Sequence, residues 1–214
     1  MTMKLLIGDY FTEVTANTTK GEITLPDAYL GSWFVLFSHP ADFTPVCTTE
    51  FVAFQKRSKE FDSLGTKLIG LSVDSIEDHH GWVAWIKENL HIGIEFPIID
   101  DADRKVSLAL GMLRDDSLDT VTARSVVIVD DMGIVRTILE YPKEIGRNLD
   151  EVVRVVKALQ LADARGVNTP ANWPHNELVG DKVIIPPGVP VSDEEIEAEG
   201  ITVLSDWFRY KELI

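Results

Sequence analysis

Trp33-Phe34-Val35-Leu36-Phe37 is an unbroken apolar run rich in aromatic and β-branched residues. A strand of this kind has no polar face to offer water, so it must be covered on both sides. The rest of the chain supplies the cover. Residues 45–63 read as a helix, with Cys47, Phe51, Phe54, Ser58 and Phe61 recurring at spacings of four and three along one face, and Gly65 ends it. Residues 67–73, K-L-I-G-L-S-V, predict a second strand. Ser75-Ile76-Glu77-Asp78 predicts a capping box opening a helix that runs to Leu90. A short strand is expected at Ile98-Ile99 and a short helix over 104–110. S-V-V-I-V at 125–129, the turn Asp130-Asp131-Met132-Gly133 and a return over 134–141 predict a hairpin. Asn148 is placed to cap a helix to Ala164 with Val152, Val155, Val156 and Leu159 inward. Strand-helix-strand-helix followed by hairpin-helix is the order of an α/β fold: a mixed central sheet flanked by helices on both faces.

Composition changes near Gly166. The stretch 166–214 holds five of the ten prolines, together with Trp173, Trp207 and an acidic cluster at Asp193, Glu194, Glu195, Glu197 and Glu199. So much proline excludes a long regular element. The expected division is a main domain over 1–165 and a C-terminal arm or small domain over 166–214 that packs on its own core or on a second subunit.

The 35 acidic residues outnumber the 20 basic ones, for a formal net charge of −15. Such a surface repels nucleic-acid backbones and anionic membranes, so neither is an expected partner. A single cysteine cannot form an internal disulfide, which suits a reducing compartment. The N-terminal apolar run is too short for a signal peptide and is soon interrupted by Asp9 and Glu13. The apolar stretches fall far short of the roughly 20 residues a membrane helix needs. A cytoplasmic protein is expected.

That one cysteine, in H-P-A-D-F-T-P-V-C-T-T-E at 39–50, sits where chemistry is favoured. Thr44 is a good N-cap and Pro45 a favoured first helical residue. Cys47 then occupies the third helical position, where free amides and the positive end of the helix dipole converge and stabilise an anionic sulfur. It also takes the place that Glu fills in a capping box, so the Thr44 hydroxyl could donate to the sulfur or orient something bound beside it. The bland reading is a buried structural cysteine facing Phe51 and Phe54. C-T-T-E excludes a C-x-x-C dithiol. Arg124, at the lip of the 125–129 strand, is either a snorkelling surface arginine or a guanidinium aimed at a site beyond the strand end.

Taken together, these residues resemble the peroxiredoxins. Residues 40–47 match the family signature P-x-x-x-T-x-x-C, and Arg124 stands where the family carries its active-site arginine. S-H-P-A-D-F-T-P-V-C-T-T-E, A-R-S-V-V-I-V-D, G-R-N-L-D-E-V-x-R and N-T-P-A-N-W-P resemble the one-cysteine class over nearly the whole chain. The resemblance implies a thioredoxin-like fold with a C-terminal extension. It implies a thiol-specific peroxidase acting on hydrogen peroxide and organic hydroperoxides without metal or organic cofactor. By the same resemblance Cys47 is the peroxidatic residue that becomes a sulfenic acid. Thr44 bonds the thiolate or the peroxide, and Arg124 stabilises both. Pro40 shields the sulfur and Glu50 orients Arg124, while His39 and Arg147 match residues near the pocket of relatives. With no other cysteine, the sulfenic acid must be reduced by an outside thiol: a thioredoxin, a glutaredoxin or a small thiol. A homodimer is expected, with pairing of dimers into rings as a family option.

Other features are weighed against this. Neighbouring helical residues point about 100° apart, so His79 and His80 do not converge on a metal; with His91 and His175 they are expected at the surface or an interface. Gly31-Ser32-Trp33 precedes a strand and lacks the second glycine of a nucleophile elbow, so lipase chemistry is not expected. The Asp pairs at 100–101, 115–116 and 130–131 are expected in turns. The alternative function is a peroxide sensor or redox-controlled oligomeric holdase, and turnover with added thiol separates it from an enzyme.

Overall fold

The computed structural model describes residues 4–113 and 121–213. It divides into two compact units, Met1–Leu149 and Asp150–Ile214.

The first unit opens with a small antiparallel pair, β1 (Val14–Ala16) and β2 (Ile23–Leu25), followed by β3 (Trp33–Ser38). Then come α1 (Pro45–Lys56), α2 (Ser58–Ser63), β4 (Thr66–Ser72), α3 (Ile76–Leu90), β5 (Ile98–Asp100), α4 (Lys105–Ala109), β6 (Arg124–Val129) and β7 (Val135–Tyr141). The main sheet has the order β5-β4-β3-β6-β7. β3, β4 and β5 run parallel, while β6 is antiparallel to both β3 and β7. This is the mixed sheet flanked by helices that the element order predicts.

Every residue of β3 is buried, as its unbroken apolar run requires. One face of the sheet gathers Phe34, Leu36, Ile69, Leu71, Val127 and Val129. The other is aromatic: the Phe37 ring stacks on Phe54 at 3.8 Å and meets Phe51 and Phe96 edge-on. Phe51 lies so close to β4 that a Cβ at Gly70 would meet its ring at 3.1 Å, tighter than most real contacts. The hairpin turns at Gly133, whose φ of +80° suits glycine and where a Cβ would come within 2.9 Å of the Tyr10 ring.

Three expectations are corrected. The helix expected over 45–63 is two helices. Arg57 leaves helical geometry at φ −99°, ψ 2°, and its amide is shared between the Ala53 and Phe54 carbonyls. No Pro or Gly marks that break, and the apolar face simply resumes at Phe61. His79 is not at the surface but fully buried, whereas His80, His91 and His175 are exposed. Asp101 is not a mere turn residue. It is buried, and its carboxylate accepts the Val106 and Ser107 amides at 2.7 and 2.8 Å, capping α4. Asp130 accepts the Met132 and Ile134 amides within the hairpin turn, and the pair at 115–116 lies outside the described residues. The Ser75 capping box forms as expected.

α5 (Leu149–Arg165) begins at the end of the first unit and continues into the second. Val152 and Val156 are buried as expected, Val155 and Leu159 only half so; Val153 and Ala158 are buried in addition. The second unit also holds a three-stranded antiparallel sheet, β8 (Val183–Ile185), β10 (Arg209–Lys211) and β9 (Thr202–Val203), in the order β8-β10-β9. Beyond α5 its elements are short, as the prolines there dictate. The acidic cluster forms α6 (Asp193–Ala198), opened by a Ser192–Glu195 capping box. Leu178, Leu204 and Trp207 stand 72%, 60% and 66% exposed.

Candidate active site

Sheet topology creates the site. Because β6 runs antiparallel to β3, the start of β6 lies beside the end of β3. The join is closed by the Ser38 hydroxyl, which donates to the Ala123 carbonyl and accepts the Ser125 amide. Arg124, first residue of β6, is thereby set against the chain that leaves β3 for α1.

That chain enters α1 as the sequence suggests. Thr44 is the N-cap, with extended backbone (φ −113°, ψ 145°), and Pro45 follows at the first helical position. Cys47 sits in the first turn and is 0% exposed. The Thr44 hydroxyl does not reach the sulfur or cap the helix; it donates to the Ala41 carbonyl at 2.9 Å, inside the loop. Pro40 is buried in the same loop. Phe43 takes a positive φ of +52° and is exposed.

Four of the residues singled out in the sequence meet in one cluster. Arg124 Nη1 donates to Cys47 Sγ at 3.2 Å and to Glu50 Oε2 at 2.7 Å. Its Nε and Nη2 both donate to the Lys143 carbonyl, at 3.0 and 2.7 Å, which fixes the plane of the guanidinium. Glu50, one turn beyond Cys47 on α1, also takes Arg147. The Arg147 amide and Nε donate to Oε1 at 2.8 Å each, and Nη2 donates to Oε2 at 2.7 Å. Arg147 Nη1 donates to the Ser38 and Ser125 carbonyls, tying β3 to β6. Its guanidinium lies over the Phe37 and Phe54 rings, 5.4 and 5.5 Å from their centroids. Burial pushes the Glu50 carboxyl up, but Arg147 and then Arg124 outweigh it and hold it below the usual carboxylate value. Two guanidinium groups against one carboxylate leave an excess positive charge beside the sulfur. The Lys143 carbonyl is the partner that sequence reading missed; backbone acceptors carry no side-chain signal.

His39 lies apart from this cluster. Its Nε2 faces Asp42 Oδ1 at 2.7 Å, and its ring packs on Phe51 and Trp82. Among the described residues, His39, Asp42 and Asp74 bring potential ligand atoms within 4.8 Å of one another. Both Asp42 oxygens already face imidazole nitrogens, at 2.7 Å from His39 and 2.6 Å from His79, so this group is a hydrogen-bonded network. Among the described helices, none is long and apolar enough to cross a membrane.

Comparison with known proteins agrees with this geometry. Residues 7–138 match the AhpC/TSA family, and residues 158–198 match the C-terminal domain of 1-Cys peroxiredoxin. A peroxiredoxin of Methanocaldococcus jannaschii is 55% identical over 97% of this chain and 99% of its own. One of Thermotoga maritima is 53% identical over 97% of each. Among solved structures, the yeast mitochondrial 1-Cys peroxiredoxin superposes with a TM-score of 0.83 at 44% identity, covering 97% of this chain and 99% of that one. Peroxiredoxin 6 of Arenicola marina gives 0.84 at 33% identity, covering 97% of each. With such identity along nearly the whole of both chains, and one cysteine to work with, the protein belongs to the peroxiredoxins, the thiol-dependent peroxidases, and within them to the one-cysteine class.

Proposed function

We propose that Cys47 is the reacting sulfur of this peroxidase and that Arg124 and Thr44 act with it on the peroxide. The contact of Arg124 Nη1 with Sγ at 3.2 Å carries the reading. The thiolate attacks the terminal oxygen of HO–OR. A sulfur–oxygen bond forms, the O–O bond breaks, and the electron pair leaves on RO⁻, which takes a proton to give ROH. Cys47 is oxidised to the sulfenic acid. Negative charge moves from sulfur to the leaving oxygen, so a fixed guanidinium beside the path stabilises the transition state more than the ground state. Arg124 has one Nη2 hydrogen beyond those engaged with Lys143, Glu50 and Cys47, and that hydrogen serves the peroxide. The Thr44 hydroxyl spends its own hydrogen on Ala41, so it receives the peroxide O–H as an acceptor. Glu50 and Arg147 position Arg124; Pro40 and His39 shape the approach.

The sulfenic acid is cleared by an external thiol. One thiol forms a mixed disulfide with Cys47 and releases water; a second restores Cys47 and leaves as the oxidised disulfide. The yeast 1-Cys relative is described as resolved through glutathione and thioredoxin systems, which supports a small thiol or a thioredoxin here, with glutaredoxin as a third candidate. A homodimer, assembling further into rings, is supported by the exposed Leu178, Leu204 and Trp207 of the residue 166–214 arm. A cytoplasmic setting fits the single free thiol.

Peroxide consumption with a panel of reductants, alongside mass spectrometry of Cys47, tests the reading. Many peroxides reduced per subunit with added thiol, and one sulfenic acid at Cys47 without it, is the expected result. One peroxide per subunit even with thiol present makes the protein a sensor. Oxidation confined to other residues overturns the assignment of Cys47.

A further inference from the structure

A second buried ionic chain runs through the signature, and two of its members, Asp42 and His79, have no part in the chemistry above. Asp42 is five residues before Cys47, in the loop 40–44. Its carboxylate is shared between two imidazoles: Oδ1 lies 2.7 Å from His39 Nε2, and Oδ2 lies 2.6 Å from His79 Nδ1 on α3. His79 Nε2 is 3.0 Å from the Ile99 carbonyl oxygen of β5. The side chains of His39, Asp42 and His79 are 0%, 1% and 0% exposed.

The partners dictate where the hydrogens sit. A carbonyl only accepts, so His79 Nε2 carries a hydrogen. An ionised Asp42 also only accepts, so each ring nitrogen facing it carries one. His79 is then protonated on both nitrogens, an imidazolium. His39 carries its hydrogen on Nε2 and leaves Nδ1 bare. Among the described residues His39 Nδ1 is indeed buried without a hydrogen-bond partner, a position that suits a neutral ring's lone pair better than an N–H. The directions of titration agree. Burial disfavours charge on His79, yet Asp42 outweighs it and holds the ring above its ordinary value. At His39 burial wins and holds it below. Asp42 is pushed up by burial and held below its ordinary value by the two imidazoles. Among the described residues Asp74, after β4, is the other charged group facing the chain, and its Oδ2 accepts the Asp42 amide and the Ser72 hydroxyl. β5 presents the Ile99 carbonyl; α1 and α3 present the Phe51 and Trp82 rings.

We propose that His39, Asp42 and His79 form a clasp that docks the loop 40–44 on α3, and that His79 is a positioning residue whose second proton keeps the clasp closed. The proposal rests on Cys47 being the reacting sulfur. A neutral His79 would have one hydrogen for two acceptors, so a lone pair would face either Asp42 Oδ2 at 2.6 Å or the Ile99 carbonyl oxygen at 3.0 Å. Either way one contact of the chain from the loop through α3 to β5 is lost. That loop carries Pro40 and Thr44 and leads straight into the turn of Cys47, which has no exposed surface of its own. How the loop is held therefore decides how peroxide meets the sulfur.

The test joins ring ¹⁵N spectra of the reduced full-length protein with the rate of Cys47 oxidation by hydrogen peroxide against pH, in wild type and His79→Gln. Both His79 nitrogens are expected to be protonated at neutral pH. The wild-type rate should fall roughly tenfold as His79 loses its proton, the effect of losing one strong hydrogen bond. His79→Gln should lack that alkaline limb and react at the lowered rate throughout. A neutral His79 at neutral pH, or an unchanged limb in His79→Gln, overturns the clasp. Should His79→Gln fail to fold, wild type decides: the nitrogen titration and the rate limb coincide if the clasp is real and separate if it is not. A wild-type Cys47 inert to peroxide would instead sink the peroxidase assignment, and the spectra would still judge the clasp.

Discussion

Two buried ionic networks flank the signature, and they are built differently. In Arg124–Glu50–Arg147 the cations are arginines, which stay charged, and both are further held by the backbone carbonyls of Ser38, Ser125 and Lys143. In His39–Asp42–His79 the cation is an imidazole, and the far end rests on a single carbonyl, Ile99. The first network is a fixed electrostatic frame around a sulfur. The second holds chain in place with a proton that can be removed. A buried pair is weak evidence of net stabilisation, because desolvation offsets much of the attraction. The difference therefore teaches what each pair is for: one supplies field, the other supplies position.

Substitutions break or sharpen that contrast. Cys47→Ser should abolish thiol-dependent peroxide turnover, measured with any reductant that supports the wild type. Arg124→Gln should lower kcat/KM roughly 10²- to 10³-fold, the cost of losing a preorganised charge donor. Arg124→Lys should not rescue it, since a compact ammonium lacks the planar fork whose separate nitrogens reach Lys143 on one side and Glu50 and Cys47 on the other. Glu50→Gln leaves two buried guanidinium groups without their anion and should cost about 3 kcal/mol in urea denaturation.

Stability against pH should separate the two networks. Glu50 and Asp42 are held below their ordinary values, so what they contribute is present above the normal carboxylate range and is lost as pH falls through their lowered values. His79 is held above its ordinary value, so its contribution is full below about 6.5 and is lost as pH rises through the raised one. Resistance of wild type to denaturation should weaken at both ends, and His79→Gln should remove the alkaline loss while also shrinking Asp42's share of the acid loss. The smallest effect is expected from Ser75→Ala, which removes the cap of the helix carrying His79 and should cost about 1 kcal/mol while leaving the alkaline limb of the rate in place.

Much of the fold was legible because β3 and β6 are buried throughout, and such strands announce themselves by the apolar runs W-F-V-L-F and V-V-I-V. The sulfur's place in the first turn was legible from Thr44-Pro45, a local signal. Partners met through space were not. The Thr44 hydroxyl turns back to Ala41, a choice made by loop geometry rather than residue type. His79 looked wet because Glu77, Asp78 and His80 surround it. Its spacing to Trp82 and Ile86, three then four, places it on the apolar face of α3, and that signal could have found it. Its partner Asp42 lies 37 residues away and leaves no local trace.

The guanidinium beside the sulfur is aimed by a main-chain oxygen, that of Lys143, whose own side chain faces solvent. Any residue at 143 keeps that oxygen. A change of charge at this exposed position therefore leaves the guanidinium's anchor in place.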